Sequence, residues 1–180
     1  MSEACVYDAI AAFEVAAAAE GRWHLLHTRS RQEKALSETL FAKGIAHYLP
    51  IANVTRSYGG RKVLVDLPLF PGYVFLKGNL DEVYDADRTK RVAGIIRVAD
   101  QDRIARELRN LARALVSRIQ LDPYPYLRAG VKVSVRCGPL MGLEGVIESR
   151  SKRDRLILQV DVLGQATSLE IDGAILDVIE

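Results

Sequence analysis

The stretch Pro68-Leu69-Phe70-Pro71-Gly72-Tyr73-Val74-Phe75, which reads PLFPGYVF, decides how the first half of the chain folds. Its two prolines cannot donate backbone hydrogen bonds, so the residues up to Pro71 would make a poor central strand. The Pro-Gly pair indicates a turn, and the residues from Tyr73 onward read as a buried strand. Two interpretations stay open. The aromatic side chains enter the core at the start of a strand, or they form a rigid apolar ridge that docks a partner.

The residues before this stretch read as a strand followed by a helix. Residues 22–28 form a short extended run. Ser30 and Glu33 have the spacing of a capping box, so we expect a helix to begin there. Gly44 stands where a C-cap glycine ends a helix. The predicted inward stripe of this helix consists of Leu36 and Leu40.

The residues after the helix complete an α+β unit of about 100 residues, with helices against one sheet. A Gly-Gly pair between two extended arms predicts a hairpin. Apolar residues at steps of three and four predict a last helix, whose opposite side is rich in arginine. The predicted elements are strands at 45–49, 73–77 and 94–98, a hairpin tip at 58–61, a short helix at 81–90, and a helix through Ile104, Leu108, Leu111 and Leu115.

The second half of the chain has a different periodicity. Residues 121–127, LDPYPYL, contain two prolines and no periodic pattern, which predicts a linker. Beyond them apolar residues alternate along short runs, and glycines and polar tips separate the runs. Short alternating strands with tight turns are typical of a small β-barrel. The alternating residues are Val131, Val133 and Val135, then Leu156, Leu158, Val160 and Val162, then Leu169 and Ile171.

Composition places the chain among ordinary globular proteins of one or two domains. Its 180 residues are 49% hydrophobic and 27% charged, with a formal net charge of +2. The two cysteines, Cys5 and Cys137, are far apart and suit reduced intracellular thiols. The first twenty residues contain no Lys or Arg, which does not fit a secretory signal, and no apolar run is long enough to span a bilayer. We expect a cytoplasmic monomer that begins with a frayed Ala-rich helix or a disordered extension.

The chain lacks the motifs of common enzyme classes. The three histidines are His24, His27 and His47, and the first two point to opposite faces of one strand. They therefore cannot bind one metal ion together from that strand. Residues 59–62, GGRK, lack the glycine spacing and the following helix of a phosphate-binding loop. We expect no catalysis, no cofactor and no metal.

Basic residues cluster in the first half of the chain. Between residues 22 and 62 there are eight basic and two acidic side chains. Arg29, Arg31 and Lys34 gather at the predicted start of the first helix, where backbone N–H groups also point outward, an arrangement that favours phosphate contact. Arg61 and Lys62 lie at the predicted hairpin tip, where they could reach a nucleic acid strand. The alternative is an ordinary solvated face.

Two motifs together resemble the NusG-type transcription elongation factors, including their specialised antiterminator paralogues. The first is a Trp-led strand and helix start, residues 23–33, followed by PLFPGYVF. The second is similar to a KOW barrel, with GVKV at 130–133, GPLMGLEG at 138–145 and LGQAT at 163–167. The resemblance covers residues 22–180. It implies an α+β NGN sandwich with an antiparallel sheet at 22–118, a linker at 119–129 and a small all-β, SH3-like KOW barrel at 130–180, preceded by an unmatched extension at 1–21.

The resemblance also implies partners. In this family the first domain lies across the DNA cleft of RNA polymerase and binds the two clamp helices of the largest subunit. By position, the polymerase contacts would be Trp23, Phe70, Pro71, Gly72 and Tyr73. Upstream or non-template DNA would face Arg29, Arg31, Gln32 and Lys34, to which charge clustering adds Arg61 and Lys62. A ribosomal protein or Rho would bind the barrel at Leu163, Gly164, Gln165 and Thr167.

One departure bears on the role within the family. Members with a general role often carry an aromatic residue where Leu163 stands here, so recruitment of Rho or the ribosome is less expected. The stretches PLFPGYVF and LDPYPYL resemble operon-specific antiterminators more closely than the housekeeping factor, so we expect a specialised antiterminator that suppresses pausing or termination at particular operons. A housekeeping factor is the first alternative. An RNA-binding or ribosome-associated KOW module, which would use Lys132, Lys152 and Arg153, is the second.

Overall fold

The structure is a computed structural model that describes residues 8–117, 121–124, 130–150, 153–172 and 175–179. It divides into two compact units, Met1–Gln101 and Asp102–Glu180. The division falls before the last predicted helix of the first domain, whereas the sequence suggested a boundary at residue 118. Hydrogen bonds from that helix to the second sheet account for the difference, as described below. None of the helices in the described ranges is both long and apolar enough to cross a membrane.

In its described residues, 8–101, the first unit contains an antiparallel sheet, a separate two-stranded ribbon and three α-helices. The sheet has the strand order β2-β5-β1-β6, and β3 pairs only with β4 to form the ribbon. The helices are α1 (Ala9–Ala18), α2 (Glu33–Ala42) and α3 (Leu80–Asp87). The strands are β1 (Arg22–Thr28), β2 (His47–Tyr48), β3 (Ile51–Tyr58), β4 (Arg61–Pro68), β5 (Tyr73–Gly78) and β6 (Val92–Arg97).

Alternation along β1 and β5 divides their side chains between two faces of the sheet. Leu26, Val74 and Leu76 lie on one face and join a core cluster with residues of α2 and α3. Leu36 and Leu40 of α2 are fully buried in that cluster, which confirms the predicted inward stripe. The opposite face carries the aromatic residues described below.

The start of α2 differs from the prediction. The helix begins at Glu33, and the preceding Gln32 makes no side-chain capping hydrogen bond, so the capping box expected at Ser30 is wrong. The Glu33 carboxylate instead accepts a hydrogen bond from the backbone of Gly72, far along the chain. The end of the helix is as predicted, because Gly44 adopts a φ of +69° in the left-handed region.

The ribbon forms as its sequence predicts. Gly59 and Gly60 connect β3 to β4, and both have positive φ angles, +55° and +79°. A two-residue hairpin turn with positive φ at both positions matches the twist of its strands and favours glycine. Eight residue pairs extend from Tyr58↔Arg61 to Ile51↔Pro68.

The extension before residue 22 packs more firmly than expected. Asp8 caps α1 by accepting hydrogen bonds from the backbone N–H groups of Ile10 and Ala11. Phe13 is fully buried among residues of the first unit. Residues 9–18 thus form the Ala-rich helix that was one of the two alternatives expected for the extension, and the buried Phe13 anchors that helix. Residues 1–7 lie outside the described ranges.

Among the described residues of the second unit, the α-helix α4 (Gln101–Val116) accompanies an antiparallel six-stranded sheet of order β12-β8-β9-β10-β11-β7. This helix begins at the last residue of the first unit and has the buried face predicted from Ile104, Leu108 and Leu111. The strands are β7 (Asp122–Tyr124), β8 (Val131–Val135), β9 (Glu144–Arg150), β10 (Arg153–Val160), β11 (Gln165–Ile171) and β12 (Leu176–Val178). The predicted mixture of helices with antiparallel sheets is confirmed.

Two features of this sheet depart from the prediction. Leu156, Ile157 and Leu158 are consecutive and all buried, so β10 is covered on both faces instead of alternating. The strand β7 lies within the predicted linker and pairs with β11, with Pro123 opposite Thr167. A proline is tolerated there because β7 is an edge strand.

Candidate partner-binding surface

The turn between β4 and β5 is held by hydrogen bonds from several elements. The Gly72 N–H donates to Glu33 Oε1 at 2.6 Å, and the Gly72 carbonyl accepts from the Thr28 N–H at 2.8 Å. The Leu69 N–H donates to the Pro50 carbonyl at 2.8 Å. Gly72 has a φ of +87°, which favours glycine. The turn is therefore fixed before any partner arrives.

An aromatic pair stands beside this turn. Tyr73 lies opposite His27 in the β1–β5 register, and the two rings stack with centroids 5.1 Å apart and planes inclined by 28°. His27 and Pro71 are exposed, and Tyr73 is half-buried. The sequence suggested Tyr73 and Pro71, but it missed His27 as their neighbour. The pairing register brings His27 to Tyr73, and no local pattern in the sequence reveals that register.

The other two predicted aromatic contacts lie inside the molecule. Trp23 is 2% exposed and Phe70 is 3% exposed. The expectation that these rings project to solvent is corrected. Trp23 is covered because the Phe13 ring of α1 stacks on it, with centroids 6.2 Å apart. Phe70 immediately precedes the exposed Pro71, and the Tyr73 N–H donates to its carbonyl at 3.3 Å, so it supports the turn from within.

Basic side chains surround the junction of β1 and α2. Arg29, Arg31 and Lys34 are exposed, as predicted. Arg31 has a φ of +58°, which produces the sharp change of direction before the helix. The Lys34 ammonium donates to the Asp66 carbonyl at 2.8 Å, which ties the helix to the ribbon. The structure thus brings the three predicted cations together at one end of the sheet.

Two further basic residues, both in the loop between α3 and β6, lie near this junction. Lys90 is exposed, and the Arg91 carbonyl accepts a hydrogen bond from the Arg29 N–H at 2.8 Å. The Arg91 guanidinium also donates to the side chain of Gln32, so Gln32 positions an arginine. Sequence reasoning did not assign Lys90 and Arg91 to this cluster, because only the pairing of β6 with β1 places them there.

Arg61 and Lys62 occupy the tip of the ribbon and are exposed. They project from opposite faces, since they are consecutive in a strand. Asp66, where Lys34 is bound, lies five residues from Arg61, or about 17 Å along the strand at its usual rise. The structure therefore separates the tip from the helix start, and the six predicted nucleic-acid contacts do not form one patch.

The predicted partner loop of the second unit is a tight turn. A three-residue 3₁₀ helix, Asp161–Leu163, ends at Gly164, which has a φ of +59° and is exposed. Leu163 and Gln165 are half-buried. Thr167 is 1% exposed because it lies in β11 between two paired strands, so the expectation that it takes part in a surface contact is corrected.

Helix α4 contacts the same turn. Glu107 Oε2 accepts a hydrogen bond from the Asp161 N–H at 3.1 Å, and Arg103 bridges Glu107 at 3.0 Å and Asp161 at 2.5 Å. Burial raises the pKa of Glu107, although the hydrogen bonds from Asp161 and Arg103 oppose that effect. Farther along, Asn110 and Arg113 donate to the carbonyls of Glu144 and Gly142. The arginine-rich side of α4 thus serves in part to bind the second sheet.

Two of the three histidines, His24 and His47, are removed from solvent to a degree that shifts their pKa values. His24 is buried, and its burial lowers its pKa, with further contributions from Arg22 and Arg97. Burial also lowers the pKa of His47, whose ring hydrogen-bonds the Ser37 hydroxyl and the Ile45 carbonyl, both at 2.8 Å. Within the residues that the structure describes, no group of three His, Cys, Asp or Glu side chains could hold a metal ion.

The sequence of this chain is similar to a known protein family and to several characterised proteins. Residues 21–115 match the sequence model of the family described as "Transcription termination factor nusG". The transcription termination/antitermination protein NusG of Rickettsia typhi is 25% identical over 168 residues, covering 84% of this chain and 86% of the relative. The protein of the same name from Deinococcus radiodurans is 28% identical over 184 residues, covering 83% and 95%. A solved structure, entitled "Domain interaction in Thermotoga maritima NusG", shares 23% identity with a TM-score of 0.45 and covers 89% of this chain and 98% of its own.

Proposed function

Because the chain belongs to the NusG family of transcription factors, we propose that it binds transcribing RNA polymerase and suppresses pausing or termination. The observation that carries the proposal is the match of residues 21–115 to this family, within which the preformed turn and its aromatic pair lie. The activity is mechanical. It consists of binding and of holding two parts of the polymerase together, and it includes no chemical step on a substrate.

The first unit docks on the two clamp helices of the largest polymerase subunit through the turn between β4 and β5. Pro71, Gly72 and Tyr73 supply the contact, and His27 extends it by stacking on Tyr73. Phe70 acts from beneath by supporting the turn. A tyrosine ring buries much apolar area at low entropic cost. Since the turn is already fixed by Glu33 and Thr28, little ordering is needed on binding.

The basic residues orient the bound protein on upstream or non-template DNA. Arg29, Arg31 and Lys34 contact phosphates near the sheet, and Gln32 contributes by holding Arg91. Arg61 and Lys62 contact DNA farther away, at the ribbon tip. A protein anchored on the clamp and on DNA bridges the cleft, which favours the closed clamp and opposes pausing.

The second unit acts as a KOW domain that can recruit a further partner, a ribosomal protein or Rho, through Leu163, Gly164 and Gln165. The exposed left-handed Gly164 gives the turn a shape that presents these residues. Leu163 replaces an aromatic residue common in factors with a general role, and this supports a specialised role at particular operons. The names of the relatives instead favour the general role. Transcript profiling of a deletion strain separates the two, because only a general factor changes elongation at most genes.

The polymerase contact is tested by co-purification of Tyr73→Ala with RNA polymerase from the same organism. We expect at least a tenfold loss of affinity, as for a central aromatic residue of an interface. Tyr84→Ala is the matched control, since Tyr84 is an exposed tyrosine on α3 outside the surface, and it should bind as the wild type does. Equal binding by both variants, with native circular dichroism, would contradict the proposal. Tight RNA binding without polymerase would favour the RNA-binding module.

A further inference from the structure

Helix α1 occupies a groove on the aromatic face of the first sheet. The groove, called here the Trp23 groove, consists of Trp23, Tyr48 and Lys77. The Phe13 ring lies in it, stacked on Trp23 at 6.2 Å with planes inclined by 4°, and edge-on to Tyr48 at 5.6 Å. The Lys77 ammonium lies 5.7 Å from the centre of the Trp23 ring and donates to the Ala17 carbonyl of α1 at 2.5 Å.

The Trp23 groove and the proposed polymerase contact share one face of the sheet. Trp23 and His27 are four residues apart on β1, and Lys77 and Tyr73 are four residues apart on β5, so all four side chains point the same way. The separation along each strand is about 13 Å. Helix α1 therefore covers the Trp23 end of this face and leaves the His27–Tyr73 end open. Leu25 and Phe75, which lie between the two ends, are fully buried.

The groove does not depend on α1 for its backbone. The Trp23 N–H donates to the Gln101 side chain at 2.6 Å, and the Trp23 carbonyl accepts from the same side chain at 3.0 Å. Lys77 pairs with Trp23 in the β1–β5 ladder. The residues that match the family begin at residue 21, after α1. The backbone at Trp23 is therefore held by residues outside α1.

Helix α1 buries only one large side chain. Its buried residues are Ala9, Phe13 and Ala16, of which only Phe13 is large. A helix of ten residues is marginal by itself in water, so it stays ordered only while Phe13 is in the groove. Segments with few buried apolar contacts open locally more often than a core does.

We propose that α1 is a removable occupant of the Trp23 groove and competes there with a helix of RNA polymerase that presents an aromatic or large apolar side chain. The proposal rests on the proposed function. The occupant seen in the structure defines the ligand, an α-helix with one large anchor flanked by small residues at i−4 and i+3. With α1 displaced, Trp23 becomes available in addition to the His27–Tyr73 end, and the protein binds polymerase over a larger area.

Opening of the groove is measured independently of polymerase. Trp23 is the only tryptophan of the chain, so quenching of its fluorescence by acrylamide reports its exposure directly. Phe13→Ala is expected to raise quenching several-fold. Val15→Ala is the matched control, because Val15 lies on the same helix and is 75% exposed, and it should leave quenching unchanged. Lys77→Ala, which removes the bond to Ala17, provides a second and milder variant.

Competition is measured by the affinity for RNA polymerase. If α1 covers the groove most of the time, Phe13→Ala should bind roughly tenfold more tightly than the wild type, because the fraction of competent molecules limits apparent affinity. A peptide of residues 8–20 should reverse this gain, and the same peptide with Phe13→Ala should not. Equal or weaker binding by Phe13→Ala, with an exposed Trp23 and a cooperative urea unfolding transition that shows the rest of the protein is folded, would overturn the inference alone. Failure of both proteins to bind polymerase would overturn the proposed function as well.

Discussion

At the scale of single residues, the interaction of Glu33 with Gly72 fixes the site. Glu33 is a buried carboxylate at the start of α2, and it accepts the N–H of a glycine 39 positions later. Hydrogen bonds to charged groups are worth more than neutral ones, and the N–H left behind is itself costly when buried. One side chain therefore couples the helix start, the turn and the position of Tyr73.

Glu33→Ala is expected to lower the free energy of unfolding by about 1–3 kcal/mol, because the Gly72 N–H loses its acceptor. Urea denaturation followed by Trp23 fluorescence measures the change. Glu33→Gln keeps an acceptor oxygen and should cost less. Glu38→Ala is the control, since Glu38 lies on the exposed side of the same helix. A similar small loss in Glu33→Ala and Glu38→Ala would show that the bond to Gly72 contributes little.

At the scale of elements, the sequence predicted those strands, turns and helix ends that depend on residues close together in the chain. Strand β1 and the Gly59-Gly60 turn appear where their sequences place them, and α2 has the inward stripe and end predicted. The helix start was wrong because Glu33 uses its carboxylate for a distant backbone N–H, which no local spacing reveals. The packing of α1 depends on Phe13 meeting Trp23, again a long-range contact. The candidate site shows the same limit. Tyr73 was predicted from its motif, but its neighbour His27 could be identified only from the pairing register of β1 and β5.

The ribbon allows a test of DNA binding that is separate from polymerase binding. Arg61→Gln combined with Lys62→Gln should weaken binding to duplex DNA and reduce the slope of log K against log salt by up to about 2, or about 1 for each phosphate that the variant no longer neutralises. Fluorescence anisotropy of a labelled duplex between about 50 and 200 mM salt measures both quantities.

Lys43→Gln is the matched control for the ribbon variant, because Lys43 is an exposed lysine at the other end of α2 from Arg31 and Lys34. It should keep the wild-type slope. The two ribbon residues lie on opposite faces, so single variants reveal which face meets the DNA. A double variant with an unchanged salt slope would assign DNA binding to the sheet end alone.

At the scale of the whole molecule, two histidines and one glutamate lose contact with water on folding, and this makes stability depend on pH. The histidines and the glutamate act in opposite directions. His24 and His47, both in the first unit, have pKa values lowered from 6.5 by burial. The unfolded chain binds more protons there than the folded one, so stability is present above pH 6.5 and is lost as pH falls below it. Glu107, in the second unit, has a pKa raised above 4.5 by burial. Its charged form therefore destabilises the folded state above that pH, and the destabilisation decreases as acid protonates the carboxylate.

The free energy of unfolding of the first unit should therefore decrease between about pH 7.5 and 5.5. Urea denaturation followed by Trp23 fluorescence measures it, and Trp23 reports the unit that contains both histidines with lowered pKa values. His24→Gln combined with His47→Gln should flatten the profile. A contribution from Glu107 would have the opposite sign, since acid relieves its burial. A wild-type profile that rises toward low pH would thus show that the histidines do not control stability in this range.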